Sequence, residues 1–175
     1  MALDAPAGLN GAAPGAAVLL QIQEHSVLIQ RRLEVDSAQC GPVHELPLGR
    51  AVLAATLRHD PPTPLEIEHA IERIEDAVMP LRALAAGTDT LVVHDAALHA
   101  LARQADGGMA GSGAVVLERD AVERLFNRLA DRAAGRPASQ DALPTDAASS
   151  AALLLVRELL HHWELARLRV PTPGA

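Results

Sequence analysis

The sequence predicts a single α/β domain in which a mixed sheet of about five strands is flanked by helices. Short β-rich runs separated by polar breaks occupy residues 18–48, a pattern typical of a strand meander. A strongly amphipathic helix follows at residues 63–81, and further short apolar runs then alternate with helical segments. With 175 residues, 49% of them hydrophobic, the chain can bury one sizeable core. We therefore divide it into a flexible lead-in (residues 1–16), one domain (17–170) and a tail (171–175).

Three strands are predicted at the start of the domain. The first two cover residues 18–22 and 27–30, and the polar segment between them predicts a hairpin turn. The third covers residues 42–48 and is followed by a short helix at 49–57. That helix ends ahead of Pro61, because proline disfavours a helical conformation in the residue before it.

The long helix carries the clearest signals in the chain. Thr63 suits the N-cap, Pro64 the first helical position, and Glu66 completes a capping box. Apolar residues recur at steps of four and three, and acidic residues occupy the other face. The apolar stripe is Ile67, Ile71, Ile74, Val78 and Leu81, and the acidic face is Glu66, Glu68, Glu72, Glu75 and Asp76. A basic partner or a coiled coil could use these faces. A coiled coil needs about three or four heptads, so a solvated face on a helix packed against its own sheet is favoured.

The second half of the domain predicts two more strands and three helices. A β-rich run at residues 90–93 passes directly into a helix, and a strand at 114–117 precedes a helix that opens at Asp120. After a loop rich in small and polar residues, a last helix starts near Asp146. Residues 168–170 are predicted to form a final edge strand.

Composition excludes several classes of function. The net charge of −7 argues against nonspecific binding to nucleic acid or to an anionic membrane, since both need a concentrated basic surface. No apolar run approaches the ~20 residues of a membrane-spanning helix. Cys40 stands alone, which excludes an intrachain disulfide and a cysteine-based metal site. We expect a soluble protein of the reducing cytoplasm.

Two segments resemble the second domain of the exopolyphosphatase and guanosine-pentaphosphate phosphohydrolase (Ppx/GppA) family. Residues 21–29 read Q-I-Q-E-H-S-V-L-I and residues 45–53 read E-L-P-L-G-R-A-V-L. In the family, a loop of the form D-I-G-G-G-S-T-E-L leads through a strand to a segment like S-L-P-L-G-A-V-R-L. The D-P-P-T run at residues 60–63 also sits where the family enters its long helix. The resemblance implies one half of an actin-like ATPase fold, the ribonuclease-H-like unit.

The resemblance further implies that both phosphate loops are degenerate. The second family loop, similar to L-V-G-V-G-G-T-A-T-A-L-A, matches the run that starts at Thr90. Glycine lets backbone amides converge on phosphate oxygens, and the family's glycines are replaced in both loops. The degenerate positions are Gln21, Gln23, Glu24, His25, Ser26, His94, Asp95 and Ala96. Glu24 adds a negative charge where a polyanion would sit, and Gln21 replaces the aspartate that would help to hold Mg²⁺.

The function expected from this resemblance is a non-catalytic binding or regulatory module. The family's catalytic glutamate lies in the first half of its members, whereas this sequence matches only the second half, so no catalytic residue is assigned. The expected partner is another protein or a second copy of the chain, and no cofactor is expected. The alternative is a polyphosphate or guanosine-polyphosphate phosphatase, or a nucleotide-binding protein, that is completed by a second chain and uses Mg²⁺.

The eight histidines raise the question of a metal site. His94 and His99 flank a strand-to-helix turn, and His25 would lie nearby if the two loops face one cleft, as they do in the family. No strong ligand signature such as H-E-x-x-H is present, so surface or loop histidines are favoured over a metal site. Ser26 lacks a glycine elbow and is interpreted as a turn residue rather than a nucleophile.

Overall fold

A computed structural model describes residues 15–33, 40–105 and 113–172 of the chain. These residues form a six-stranded mixed sheet with five α-helices. The strands are β1 (Ala17–Ile22), β2 (Val27–Arg32), β3 (Cys40–Leu46), β4 (Thr90–Val93), β5 (Val115–Glu118) and β6 (Arg167–Val170). The helices are α1 (Arg50–Ala54), α2 (Pro64–Val78), α3 (Ala96–Ala105), α4 (Arg119–Ala133) and α5 (Ala147–His162). The predicted lead-in and tail fall mostly outside the described residues.

The strand order across the sheet is β3-β2-β1-β4-β6-β5. Strands β1, β4 and β6 run parallel, whereas β2, β3 and β5 are antiparallel to their neighbours. This arrangement confirms the predicted α/β class, with six strands rather than about five. The prediction that residues 168–170 form an edge strand is wrong. Strand β6 lies between β4 and β5 and buries Leu168 and Val170, because α5 carries the chain back to the side of β4 and leaves the edge to β5.

The capping box of α2 is confirmed. The Thr63 side chain accepts from the Glu66 N–H at 3.3 Å, and a Glu66 carboxylate oxygen accepts from the Thr63 N–H at 2.9 Å. The α-helix ends at Val78, and the chain continues as a 3₁₀ helix (Met79–Ala85) that contains Pro80. Proline cannot donate the backbone hydrogen bond of an α-helix, which accounts for the early end.

The five helices pack on one face of the sheet around a common core. Helix α5 lies at its centre, in contact with all four of the other helices, and most of its residues are buried. Each helix contributes to the cluster that holds Leu20 and Ile29 of the sheet; one such residue from each is Leu53, Ile67, Leu98, Val122 and Leu154. On the opposite face the described residues form only a small cluster of Ala17, Leu19 and Val92. None of the described helices is both long and apolar enough to cross a bilayer.

Candidate functional site

The candidate site lies where the neighbouring parallel strands β1 and β4 end. Carboxyl ends of parallel strands meet at one edge of a sheet, which is where α/β folds commonly bind ligands. Three segments meet there: the β1–β2 turn (residues 23–26), the start of α1, and the β4–α3 turn at His94 and Asp95. We call this region the cleft.

The β1–β2 turn is held directly against the start of α1. The backbone N–H groups of Arg50 and Ala51 donate to the carbonyls of Gln23 and Glu24, both at 2.8 Å. Gly49 makes this approach possible, since a Cβ built there would lie 2.2 Å from backbone atoms of His25 and Ser26. The first two N–H groups of α1 are therefore already hydrogen-bonded to the turn.

Asp95 connects the third segment to the start of α1. One of its carboxylate oxygens forms an ion pair with the Arg50 guanidinium at 2.5 Å, and the other accepts from the Leu98 N–H at 3.0 Å. The Asp95 side chain is 1% exposed, and that of Arg50 is 36% exposed. A carboxylate is stabilised at a helix N-terminus by the exposed N–H groups there and by the helix dipole. Asp95 thus supplies a built-in negative charge at the start of α3.

Most of the other predicted positions around the cleft are exposed to solvent. Gln21, Gln23, Glu24, His25, His94 and Ala96 are exposed, and Ser26 is partly buried. The Ser26 hydroxyl donates to the side-chain oxygen of Gln23 at 3.1 Å, a local turn contact.

The three-histidine metal hypothesis finds no support in the described part of the chain. Within it, no group of three or more His, Cys, Asp or Glu side chains is arranged to hold a metal ion. His25 and His94 are exposed, and Asp95 is already paired with Arg50. His99 is partly buried, and its Nε2 makes no hydrogen bond to any described residue.

Sequence reasoning missed Gly49 and Arg50 as parts of this site. A signal was available, because an arginine at the first position of a helix is opposed by the helix dipole and so favours an acidic partner. The partner itself lies 45 residues away in the sequence, and only the fold brings it near. Gly49 sits in the segment that carries the family resemblance, and its close contact with the turn gives a physical reason for glycine there.

Comparisons with known proteins find similarity at the level of structure alone. No family model and no curated protein matches the chain. The Ppx/GppA phosphatase of Aquifex aeolicus, in its type II variant, superimposes with a TM-score of 0.70 at 17% identity, covering 92% of this chain and 54% of that one. An exopolyphosphatase from Cytophaga hutchinsonii gives a TM-score of 0.67 at 16% identity, over 91% of this chain and 54% of that one.

A third solved structure, an exopolyphosphatase-like protein, gives a TM-score of 0.68 at 11% identity and covers 93% of this chain and 57% of that one. At such identities the similarity establishes the fold. The present chain spans about half the length of these proteins. It therefore has the mixed α/β fold of these phosphatases, over a part that corresponds to about half of each of them.

Proposed function

We propose that the chain is a non-catalytic binding or regulatory module with a Ppx/GppA-like fold. The observation that carries the proposal is the position of Asp95. Its buried carboxylate accepts hydrogen bonds from the Leu98 N–H in the first turn of α3 and from the Arg50 guanidinium. In phosphate-binding proteins, helix N-terminal N–H groups and guanidinium groups donate hydrogen bonds to the oxygens of the ligand.

The remaining hydrogen-bond donors of the cleft support the same proposal. The N–H groups of Arg50 and Ala51 are bonded to the β1–β2 turn, so a phosphate would have to displace two carbonyls to reach them. Glu24 is exposed beside that turn and adds a second negative charge. Phosphoryl transfer depends on positioning and on neutralisation of the phosphate charge, and both requirements are opposed here.

The proposed partner is a protein or a second copy of this chain, with no cofactor, no nucleic acid and no membrane involved. A small phosphate ligand is disfavoured by the geometry of the cleft. The alternative is a phosphatase or nucleotide-binding protein that is completed by a second chain and uses Mg²⁺. This alternative predicts that the cleft binds phosphate.

A ligand panel separates the two functions. Purified protein is mixed with polyphosphate, ATP, GTP or guanosine tetraphosphate, each with and without Mg²⁺, and melting temperature and phosphate release are both measured. A ligand specific to the folded state adds ~2.7 kcal/mol at a hundredfold excess over its dissociation constant, which is easily detected. We expect the wild-type chain to show neither phosphate release nor a shift in melting temperature with any of these ligands. Magnesium-dependent phosphate release by the wild-type chain would overturn the proposal.

A further inference from the structure

One face of the sheet is packed against helices, and the other is not. The five α-helices of the described residues all pack on the same face. We call the opposite face the second face. Strands β1, β4 and β6 are parallel, and parallel strands are usually covered on both sides. The second face is therefore a candidate for contact with another molecule.

A row of side chains crosses the second face from edge to edge. Paired residues of neighbouring strands point to the same side of a sheet. The strand register therefore places six residues side by side, in the order Val43, Gln30, Leu19, Val92, Arg169 and Val116. Leu19 and Val92 in the middle are 3% and 2% exposed, whereas Val43 and Val116 at the two edges are 56% and 51% exposed. The exposed apolar surface of the row thus lies at its ends.

A small depression lies next to one of these valines. Its volume is about 30 Å³, and its lining residues, all from β1, β2 and β3, are Leu19, Gln21, Leu28, Gln30 and Val43. Sites for small molecules are about 300 Å³ or larger, so this depression does not fit such a ligand. It can take the end of an aliphatic side chain. The second face therefore has a depression in one half and an exposed aliphatic side chain, Val116, at the edge of the other.

An acid and a base are divided between the same two halves. Glu45 is exposed on β3, and it follows Val43 by two residues, so the two are neighbours on the second face. In the other half, Arg169 of β6 lies beside Val116 of β5. Each half thus carries an apolar feature with a charged neighbour, and the two charges are opposite.

We propose that the second face is the docking surface for a second copy of this chain, related to the first by a two-fold axis parallel to the strands. The axis passes between β1 and β4, which divides the sheet into halves of three strands. Rotation about it lays β4 over β1, β6 over β2 and β5 over β3. Val116 of each copy then lies over the depressed half of the other copy, and Arg169 lies near Glu45. The face is therefore complementary to itself, as a two-fold interface requires.

The geometry and size of this contact predict a weak dimer. Aligned sheets pack about 10 Å apart with their strands within about 30° of each other. Arg32 of one copy falls opposite the Arg167–Glu118 pair of the other, which is 3.4 Å apart, so it meets an acid as well as a base. Six strands about 4.8 Å apart and about 13–20 Å long give a face of about 400–600 Å² per copy. Together the two faces bury about 800–1,200 Å², the low end for specific interfaces.

Sedimentation of the full-length chain over a range of concentrations tests the proposal. We expect a monomer–dimer equilibrium with a dissociation constant of about 1–100 µM, as suits an interface of this size. A chain that stays monomeric up to about 500 µM, a concentration well above that range, would overturn the proposal and leave another protein to cover the face.

The choice of a second copy as the partner rests on the proposed function, so phosphate release with Mg²⁺ is measured on the same samples. A monomer that releases no phosphate would overturn the docking surface alone. A dimer that releases phosphate would overturn the proposed function alone.

A charge placed at the edge of the second face should weaken the dimer. Val116→Lys puts an ammonium group where an aliphatic side chain is expected to pack, which should raise the dissociation constant about tenfold or more. Leu65→Lys is the matched control, because Leu65 is 59% exposed and lies in α2, on the other side of the sheet. It should leave the dissociation constant unchanged. Equal effects of the two variants, or a folded Val116→Lys variant with wild-type affinity, would contradict the proposal.

A charge exchange tests the two-fold arrangement itself. Glu45→Arg and Arg169→Glu each bring like charges together and should each weaken the dimer about tenfold. An equal mixture of the two variants restores opposite charges at both contacts and should associate about as tightly as the wild type. A mixture that associates no more tightly than its components would overturn the arrangement. Should Arg169→Glu fail to fold, Val43→Lys at the exposed rim of the depression replaces it, and a folded variant with wild-type affinity would likewise overturn the proposal.

Discussion

The arginines at the two ends of the central strands have different kinds of partner. At the carboxyl ends, Arg50 is neutralised by the buried Asp95, which also caps α3. At the amino ends, the Arg31 guanidinium donates to two backbone carbonyls, and Arg82 pairs with the exposed Glu164. The comparison shows that position in a fold does not by itself make a site. The cleft lies where α/β folds commonly bind ligands, yet its charges are satisfied internally. At the far end the described residues give Arg31 no carboxylate partner and give Arg82 only an exposed one.

A third acid–arginine pair shows that the Asp95 arrangement is used structurally elsewhere in this chain. The Asp141 carboxylate accepts hydrogen bonds from Nε and Nη2 of Arg128 at 2.9 and 2.6 Å. It also accepts one from the Leu143 N–H at 2.9 Å. The combination of one guanidinium and one backbone N–H on a buried carboxylate is the same as at Asp95. That similarity favours a structural role for Asp95 over a ligand-binding one.

The largest expected effect comes from Gly49. A methyl group at this position would clash with backbone atoms, which cannot rotate away as the end of a side chain can. Gly49→Ala should therefore lower the free energy of unfolding by about 3 kcal/mol. Urea denaturation measures the change. Gly41→Ala is the matched control, because among the described residues its Cβ would meet only Arg31 atoms, the nearest at 3.5 Å. Equal stability of the two variants would show that the turn does not pack on α1 as described.

The next effect separates the ion pair of Asp95 from its cap. Asp95→Ala removes a helix cap and leaves Arg50 unpaired, for an expected loss of about 2–3 kcal/mol. Asp146→Ala removes the N-cap of α5, where the side chain accepts from the Ser149 N–H at 3.0 Å and has no arginine partner, and should cost about 1 kcal/mol. Thermal denaturation of both variants gives the difference. Equal losses would mean that Arg50 contributes nothing.

Acid should weaken the Asp141 pair in a defined pH range. The Arg128 guanidinium lowers the pKa of the Asp141 carboxyl from 3.8 to about 2. Because the pKa is lower in the folded state than in the unfolded state, the ionised carboxylate stabilises the fold at any pH above its unfolded-state pKa. This contribution is lost as the pH falls from about 4 toward 2. Asp141→Asn should therefore remove part of the acid dependence of the melting temperature in that range. An unchanged pH profile in the variant would contradict the pairing.

The smallest expected effect comes from the exposed ion pair between Arg82 and Glu164. Glu164→Gln breaks an exposed ion pair and should change the free energy of unfolding by less than about 1 kcal/mol. This result would set the exchangeable pair at the amino ends apart from the buried pair at the carboxyl ends. A loss as large as that of Asp95→Ala, measured by the same thermal denaturation, would remove the contrast between the two regions.

Local features of the fold could be predicted from the sequence, whereas long-range pairing could not. The capping box at Thr63 and the two strands of the first hairpin follow from neighbouring residues, and both are present. The placement of β6 inside the sheet depends on its pairing with β4, far away in the chain, and four residues carry no signal for it. The pairing of Arg50 with Asp95 was missed for the same reason. The resemblance to the Ppx/GppA family brought the two loops into one region, but it did not reveal the contact of Asp95 with Arg50.

The most direct test of the central claim is an amide titration of the cleft with tripolyphosphate and Mg²⁺. If the Asp95 carboxylate fills the anion position, the amides of Arg50, Asp95 and Leu98 in the wild-type protein should not shift in a saturable way. In Asp95→Asn, which keeps the cap and loses the charge, the same amides should begin to respond. Saturable shifts of these amides in the wild-type protein would contradict the claim that the cleft is internally neutralised.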